Sequence, residues 1–360
     1  MKYLDEYRDP QIIKTLVDKI HQKASKSWSI MEVCGGQTHS LIKYGIDQLL
    51  EPAIKLVHGP GCPVCVTPTE FIDKAIAIAK RPQVIFCSFG DMLRVPGSCE
   101  DLLKIRAQGA VIKTVYSPLE AVTLAQENPD KEVVFFAVGF ETTAPANALT
   151  IINAEKLKLK NFRLLVSQVL VPPAVDLLMD SEETKVDALL AAGHVCTIMG
   201  QSEYLPLSKK HKLPIVITGF EPVDLLKGIL AAVKQLENKQ FFVENQYARS
   251  VKLEGNIKAQ QLLQEVFKID KKKWRGMGEL PASGLTLQEK YRHYDAELYY
   301  QVQDISPIDS LECISGDILR GIKSPKQCPK FGNGCSPEFP LGATMVSTEG
   351  ACSAYYQYRH

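Results

Sequence analysis

The sequence lacks several features that would place it in a common functional class. No apolar stretch approaches the roughly 20 residues that cross a bilayer, and the first ten residues are too polar for a signal peptide. The 42 Lys and Arg nearly balance the 41 Asp and Glu, so charge does not indicate nucleic acid or an anionic membrane as a partner. We therefore expect a cytoplasmic protein with no nucleic-acid or membrane partner. We also expect it to be a monomer on its own.

Nucleotide-binding fingerprints are also missing. Neither the phosphate-binding loop Gly-x-x-x-x-Gly-Lys-Ser/Thr nor the dinucleotide pattern Gly-x-Gly-x-x-Gly occurs in the 360 residues. A nucleotide-binding α/β protein with a structural zinc is therefore the weakest of the functions that the sequence allows. The length suggests two or three domains, and 45% apolar with 23% charged residues is ordinary for a globular chain.

Cysteine, by contrast, is plentiful. Ten cysteines in a chain expected in the cytoplasm indicate metal or redox chemistry more than structural disulfides. Three of them lie in the N-terminal part of the chain, four near the C-terminus, and three are scattered. Of the scattered ones, Cys87 lies in an apolar run that predicts a buried strand. Packing is the favoured role for Cys87, and also for Cys99 and Cys196.

Two short loops hold the N-terminal cysteines. The first reads Cys-Gly-Gly-Gln-Thr-His from Cys34 to His39, and the second His-Gly-Pro-Gly-Cys-Pro-Val-Cys from His58 to Cys65. Each follows an apolar run and precedes a helical pattern, as in the loops of open α/β sheets that bind ligands. Cys34, Cys62 and Cys65 could thus share one metal or redox centre. Packing is the alternative, but glycine and proline surround all three.

The second loop also carries a predicted helix start. Thr67 and Glu70 have the spacing of a capping box, and Pro68 would occupy the first helical position. We expect the positive end of that helix to favour the thiolate of Cys65, and the next helix to act similarly near Cys34. The Cys-x-x-Cys spacing of the second loop is that of a redox dithiol.

Alternating strand and helix patterns predict an α/β fold with parallel sheets and right-handed crossovers. We expect two Rossmann-like, doubly wound lobes, at 29–118 and 119–240. Clear alternation stops near 240, so a third, mostly helical or irregular domain would combine 1–28 with 241–360. The strands are expected at 30–33, 54–57, 84–89, 111–115, 133–138, 162–167, 194–199 and 215–218.

Polar side chains at strand ends are further candidates. Glu141 follows a strongly apolar strand, where a raised pKa would suit proton transfer. Thr142 and Thr143 are equally suited to the site and to capping the next helix. His39 and His58 are candidates because they lie in the cysteine loops. His194 is interpreted as a hydrogen-bonded structural residue.

Four further cysteines lie near the C-terminus, a number that suits either zinc or a [4Fe–4S] cluster. No two of them have the close spacing typical of structural zinc, and prolines follow two of them, which favours the cluster. Zinc and simple packing are the alternatives. The four are Cys313, Cys328, Cys335 and Cys352.

Together, the two cysteine loops and Gly-Phe-Glu-Thr-Thr at 139–143 resemble the HypD family of hydrogenase maturation factors over nearly the whole chain. The resemblance implies a [4Fe–4S] cluster on the C-terminal cysteines, and therefore an iron–sulfur domain there. It implies that Cys34 binds the iron of an Fe(CN)2CO group, shared with a cysteine of a HypC-like chaperone, while a HypE-like protein donates cyanide. Cys62 and Cys65 would supply electrons or further iron ligands.

This resemblance implies a metal-centre assembly scaffold with a redox role. The alternative is an iron–sulfur dithiol/disulfide reductase resembling ferredoxin–thioredoxin reductase. In that case Cys34 and the segment 139–143 would have no assigned role.

Overall fold

The computed structural model describes residues 5–308 and 311–359. Residues 1–4, 309–310 and 360, which fall in the predicted domain of 1–28 and 241–360, lie outside the described residues. Parallel sheets flanked by helices confirm the predicted α/β class. Among the described residues, no helix combines the length and apolar character needed to cross a membrane.

The strands, in chain order, are β1 Trp28–Glu32, β2 Ile54–His58, β3 Val84–Ser88, β4 Val111–Thr114, β5 Glu132–Gly139, β6 Phe162–Gln168, β7 Ala188–Ala192, β8 Ile215–Thr218, β9 Val243–Asn245, β10 Phe267–Trp274 and β11 Gly278–Leu287. The α-helices are α1 Pro10–Lys23, α2 Gly35–Lys43, α3 Ile46–Leu50, α4 Pro63–Val66, α5 Thr69–Ala79, α6 Leu102–Ala107, α7 Pro118–Glu127, α8 Ala144–Lys156, α9 Val171–Asp180, α10 Gly193–Met199, α11 Tyr204–His211, α12 Pro222–Glu237, α13 Ile257–Val266, α14 Ala296–Tyr300, α15 Ser315–Leu319 and α16 Ala351–Arg359. Short 3₁₀ turns cover Asp5–Tyr7, Gly90–Arg94, Glu289–Tyr294, Pro325–Gln327 and Ala343–Met345.

Two parallel sheets form the framework. Sheet A has the strand order β2-β1-β7-β8-β9, and sheet B has the order β4-β3-β5-β6. Three strands of sheet B are buried on both faces, since every residue of β3 and β6 is buried and only the first residue of β5 is not, whereas the edge strand β4 is mostly exposed. Such a central sheet is typical of doubly wound α/β folds.

The strand pairing does not follow the expected division at residue 118. β3 and β4 pair with β5 and β6, whereas β1 and β2 pair with β7 and β8. The chain crosses from sheet A to sheet B through α5 and returns through α9. Each βα unit looks alike in sequence, so nothing local shows where the chain changes sheets. The domain boundaries themselves stay a prediction.

Two expected elements differ from the structure. The segment expected as a strand at 194–199 is the helix α10, and the strand is the preceding run Ala188–Ala192. Its alanines give a weak strand signal, although all five residues are buried. The region after 240, expected to be mostly helical or irregular, also contains the antiparallel hairpin β10–β11. Its first strand is rich in lysine and lacks the apolar pattern that predicts a strand.

The predicted capping box at Thr67 is wrong. Residues 63–66 form their own short helix, α4, and the Thr67 hydroxyl donates to the carbonyl of Pro63 at 2.8 Å. Helix α5 starts at Thr69 without a side-chain cap. Glu70 instead accepts hydrogen bonds from Lys74 and Lys273, each at 2.6 Å.

The C-terminal helix returns to the N-terminal cysteine loops. The Arg359 guanidinium donates to the carbonyl of Ile42 and to Asp47, both at 2.6 Å. Tyr355, one turn earlier, lies with its hydroxyl 3.1 Å from Nε2 of His58. The cysteines at the two ends of the sequence are therefore brought to one region of the fold.

Candidate metal and redox site

Cys34 lies where β1 ends and α2 begins, with an extended backbone and a side chain only 1% exposed. Its sulfur is 3.7 Å from Nδ1 of His194. His194 is the second residue of α10, directly after β7, and β7 is the neighbour of β1 in sheet A. Because adjacent parallel strands end at the same sheet edge, the thiol and the imidazole meet there.

Close packing of the two cysteine loops sets the position of Cys34. The amide of Gly35 donates to the carbonyl of Gly61 at 2.7 Å. A Cβ atom on Gly61 would lie 2.0 Å from the backbone nitrogen of Cys34, which no side chain can occupy. Gly61 therefore allows the second loop to lie directly against the first.

Cys62 and Cys65 form a disulfide with their Cα atoms 5.2 Å apart. Both are buried, and the Cys62 sulfur accepts a hydrogen bond from the amide of Cys65 at 3.2 Å. Cys62 is the N-cap of α4, so Cys65 lies inside this short helix rather than before it. Their redox activity stays a prediction.

Burial controls the protonation of Cys34. Loss of hydration raises the pKa of its thiol to about 12, and hydrogen bonds from the backbone of Gln37 and Gly36 only partly offset this. The expectation that a helix end favours the thiolate is therefore wrong for Cys34. The free protein holds it as a thiol at neutral pH.

His58 is held by a buried network. Its Nδ1 lies 2.6 Å from Oε1 of Glu32, the same oxygen that accepts a hydrogen bond from the Thr38 hydroxyl at 2.6 Å. Burial alone lowers the pKa of His58, but the charge and hydrogen bond of Glu32 outweigh it and raise the pKa. With Tyr355 on Nε2, both nitrogens of His58 have partners.

The other two histidines considered from the sequence, His39 and His194, have different surroundings. His39 is half-buried, with Nδ1 3.0 Å from the carbonyl of Thr348 and its ring edge-to-face with Tyr358. His194 stacks on Phe220, and burial lowers its pKa to about 4, so it is neutral. The interpretation of His194 as a hydrogen-bonded structural residue stays a prediction, but it did not include the contact with Cys34. The available signal was its place at a glycine-marked strand end.

Glu141 is fully buried just after the end of β5. Its Oε1 accepts a hydrogen bond from the amide of Val171 at 2.8 Å, and burial raises its pKa to about 8. The preceding Phe140 packs in the apolar cluster that also contains Cys34. Thr143 precedes α8, but its hydroxyl donates to the carbonyl of Phe140 at 3.2 Å and does not cap the helix. Thr142 is half-buried.

The four C-terminal cysteines, Cys313, Cys328, Cys335 and Cys352, line one cavity. Apolar side chains, among them Leu341 and Met345, form much of its wall. The amide of Leu341 donates to the Cys335 sulfur at 3.4 Å. A Cβ atom on Gly342 would lie 2.3 Å from the Cys313 sulfur, so any larger residue there would displace that sulfur. Four sulfurs around one apolar cavity, with a backbone donor to sulfur, fit a thiolate-held iron–sulfur cluster.

One turn of chain separates this cavity from the disulfide. The 3₁₀ turn Ala343–Met345 contributes Thr344 and Met345 to the cavity wall. The carbonyl of Ala343 lies 3.9 Å from the Cys65 sulfur. No local pattern predicts this contact, because nearly 280 residues separate Cys65 from Ala343.

The three scattered cysteines have different surroundings, and Cys196 packs in the same apolar cluster as Cys34. Cys87 is buried in β3 and Cys196 in α10, both within apolar clusters, as expected for packing residues. Burial raises the pKa of the Cys87 thiol to about 12. Cys99 is exposed, so the packing role favoured for it is wrong.

Comparison with known proteins places the chain in a family. The HypD family, described as "Hydrogenase formation hypA family", matches residues 11–359. The chain belongs to the HypD family. It is 46% identical to the hydrogenase maturation factor HypD of Azotobacter vinelandii, over 99% of this chain and 97% of that protein. It is 42% identical to the Escherichia coli K12 protein of the same name, over 100% and 98%, and 39% identical to that of Cupriavidus necator H16, over 99% and 97%. These matches confirm the resemblance inferred from the sequence motifs.

The raised pKa of Cys34 predicts slow alkylation at neutral pH. Iodoacetamide should modify Cys34 far more slowly than the exposed Cys99, since burial both shields the sulfur and keeps it protonated. Between pH 7 and 9 the Cys34 rate should rise about tenfold per pH unit. Mass spectrometry of peptides from timed reactions measures both rates. A Cys34 rate that levels off near neutral pH contradicts the assignment.

The Glu32–His58 pair predicts a pH-dependent stability. Because the folded pKa of His58 is raised, its stabilisation is complete below the unfolded pKa of about 6.5 and is lost as pH rises through the folded pKa. Glu32→Gln should lower the free energy of unfolding by about 3 kcal/mol below that range and flatten this part of the pH profile. Urea unfolding across pH 5–9 measures both effects.

The matched control removes an exposed ion pair. Asp18→Asn breaks the Lys14–Asp18 pair on α1 and should change the free energy of unfolding by less than about 0.5 kcal/mol. A Glu32→Gln protein as stable as this control, with the wild-type pH profile, would show that the buried pair does not stabilise the fold.

Proposed function

We propose that this protein is a maturation factor for [NiFe] hydrogenase that holds the iron of the Fe(CN)2CO group during its assembly. Cys34 is the iron ligand on this chain, and a cysteine of a HypC-like chaperone is the other. A HypE-like protein donates the cyanide. The names of the relatives support the maturation role, and a soft thiolate suits low-valent iron with π-acceptor ligands.

The observation that carries this proposal is the close packing of the three sulfur groups. Cys34 lies in the loop that stacks on the Cys62–Cys65 loop through the Gly35–Gly61 hydrogen bond. Cys65 in turn lies beside the turn that borders the C-terminal cavity. Such an arrangement suits a site where electrons reach bound iron through a dithiol. Once reduced, Cys62 and Cys65 can also serve as iron ligands.

Cys313, Cys328, Cys335 and Cys352 would hold a [4Fe–4S] cluster in this proposal. The cluster would supply one-electron transfer when bound. The protein contributes apolar walls that exclude water and hydrogen bonds to the sulfurs, which are known means of setting a cluster's potential.

The polar residues near Cys34 have supporting roles. Glu141 is assigned to proton transfer, because a pKa of about 8 permits exchange near neutral pH. Its Oε2 has no hydrogen-bond partner among the described residues and so remains available. Thr142 and Thr143 are assigned to shaping the segment around it. His39 and His58 are assigned to holding the loops against the C-terminal helix. We place the protein in the cytoplasm, as a monomer when its partners are absent.

The alternative function is a dithiol/disulfide reductase like ferredoxin–thioredoxin reductase. The disulfide beside a four-cysteine cavity favours it. It leaves Cys34 and the segment 139–143 without a role, whereas assembly of an iron group uses Cys34 as the ligand. An assembly scaffold copurifies with bound cyanide and carbon monoxide, and a reductase does not.

Replacing the iron ligand tests the proposal. Cys34→Ala removes a ligand but little packing volume, so folding and the C-terminal iron should be retained. The infrared bands of cyanide and carbon monoxide should disappear from the complex with the small chaperone, and hydrogenase maturation should stop. Cys99→Ala, which removes an exposed thiol, is the control and should keep the bands. Bands of wild-type intensity in Cys34→Ala contradict the assignment of the ligand.

Chemical analysis tests the cluster independently. Anaerobically purified protein should contain about four iron atoms and four acid-labile sulfides per chain in the C-terminal site. Cys328→Ala should lose them and also destabilise the C-terminal segment, because metal binding there contributes to folding. One zinc per chain without sulfide would show that the site is not an iron–sulfur centre.

A further inference from the structure

A single 3₁₀ turn contacts both sulfur groups that the proposed electron transfer requires. The hydroxyl of Thr344 donates to the Cys352 sulfur at 3.1 Å. One residue earlier, the carbonyl of Ala343 lies 3.9 Å from the Cys65 sulfur. One hydrogen bond, one van der Waals contact and the covalent bonds between them therefore connect a cluster ligand to the disulfide.

Local packing fixes this turn. Thr344 is 1% exposed, and the amide of Val346 donates to the carbonyl of Ala343 at 3.0 Å. Gly350 lies directly before α16, and a Cβ atom on it would be 2.3 Å from the carbonyl oxygen of Thr344. This close approach holds the turn against the first residues of α16, which include Cys352.

The hydroxyl of Thr344 has a defined role toward a metal-bound sulfur. A thiolate coordinated to iron accepts hydrogen bonds and cannot donate one, so the hydroxyl must donate. A hydrogen bond to a cluster thiolate stabilises the more negative, reduced state and raises the reduction potential. A valine in its place would keep the shape of the side chain and remove only the donor.

We propose that Thr344 is a positioning residue that raises the reduction potential of the cluster and that Ala343–Thr344 is the electron path to the Cys62–Cys65 disulfide. This inference rests on the proposed function. The disulfide accepts two electrons, one at a time, and two protons from solvent. Its S–S bond breaks and both sulfurs become thiols. The electrons come from an external one-electron reductant, such as dithionite in the experiment below or a ferredoxin-like protein.

Thr344→Val tests both parts of the proposal. The variant should contain wild-type iron and sulfide but show a lower reduction potential in an EPR-monitored titration. The lower potential by itself favours transfer to the disulfide, but the variant also loses the hydrogen bond that joins Cys352 to the path. Reduction of the disulfide, measured by trapping new thiols at Cys62 and Cys65 after dithionite is added, should therefore slow at least severalfold despite the larger driving force. Unchanged potential in a variant with full iron content overturns the tuning role, and an unchanged rate overturns the path.

Two controls separate the hydroxyl from other effects of substitution. Thr344→Ser keeps the donor and should retain the wild-type potential and rate. Thr150→Val removes a buried hydroxyl that donates to the carbonyl of Asn147 in α8, far along the chain from every cysteine assigned here, and should change neither. An equal shift in Thr150→Val would overturn the specific role of Thr344.

If Thr344→Val cannot hold the cluster, the hydrogen bond from Thr344 is tested in the wild-type protein instead. Electron–nuclear double resonance of the reduced protein, compared in H2O and D2O, should then show an exchangeable proton in addition to the amide proton that Leu341 donates to Cys335, and this second proton should also be present in Thr344→Ser. Its absence from both proteins overturns the inference. A wild-type protein without iron and sulfide instead overturns the proposed function, so the two failures can be distinguished.

Discussion

The candidate site depends on one buried carboxylate. Glu32 ends β1 and is fully buried, where its Oε1 accepts from the hydroxyl of Thr38 and pairs with His58. A buried charge of this kind is tolerated only when its partners are close and well oriented, so the surrounding elements cannot shift independently. His58 extends the network to Tyr355 on α16, the helix whose first turn contains Cys352. One ion pair thus connects both N-terminal cysteine loops to the C-terminal cysteines.

Burial also determines how the site can bind metal. With its pKa raised to about 12, Cys34 must lose a proton before its sulfur can coordinate iron. The adjacent His194 is neutral, so it offers no positive charge that would stabilise a free thiolate. In the proposed assembly role, iron and the small chaperone would provide the stabilisation. A thiol kept in this form is also protected from oxidation, because the thiolate is the reactive species.

Sequence patterns predicted what depends on neighbouring residues. The strand–loop–helix context of Cys34, the Cys62–Cys65 spacing and the buried strand before Glu141 are all local, and the structure contains them. The convergence of four C-terminal cysteines on one cavity followed from their number and from the family resemblance.

What the sequence did not reveal depends on long-range packing. No local signal shows that α5 carries the chain to a second sheet, or that β7 brings His194 to Cys34. The helix-end argument for Cys34 failed because the cost of burying a charge exceeds the effect of the helix end. Thr344 belongs to no recognisable sequence motif, and only the fold shows that its hydroxyl lies beside the Cys352 sulfur.

Mössbauer spectroscopy of ⁵⁷Fe-enriched protein, copurified with its small chaperone, distinguishes iron at Cys34 from iron in the cluster. If Cys34 holds the iron of the Fe(CN)2CO group, low-spin iron(II) should appear beside the C-terminal cluster in a ratio of about one to four. Cys34→Ala should keep the cluster signal and lose the low-spin component. Low-spin iron that persists in Cys34→Ala, or a wild-type complex with cluster iron alone, would contradict this assignment.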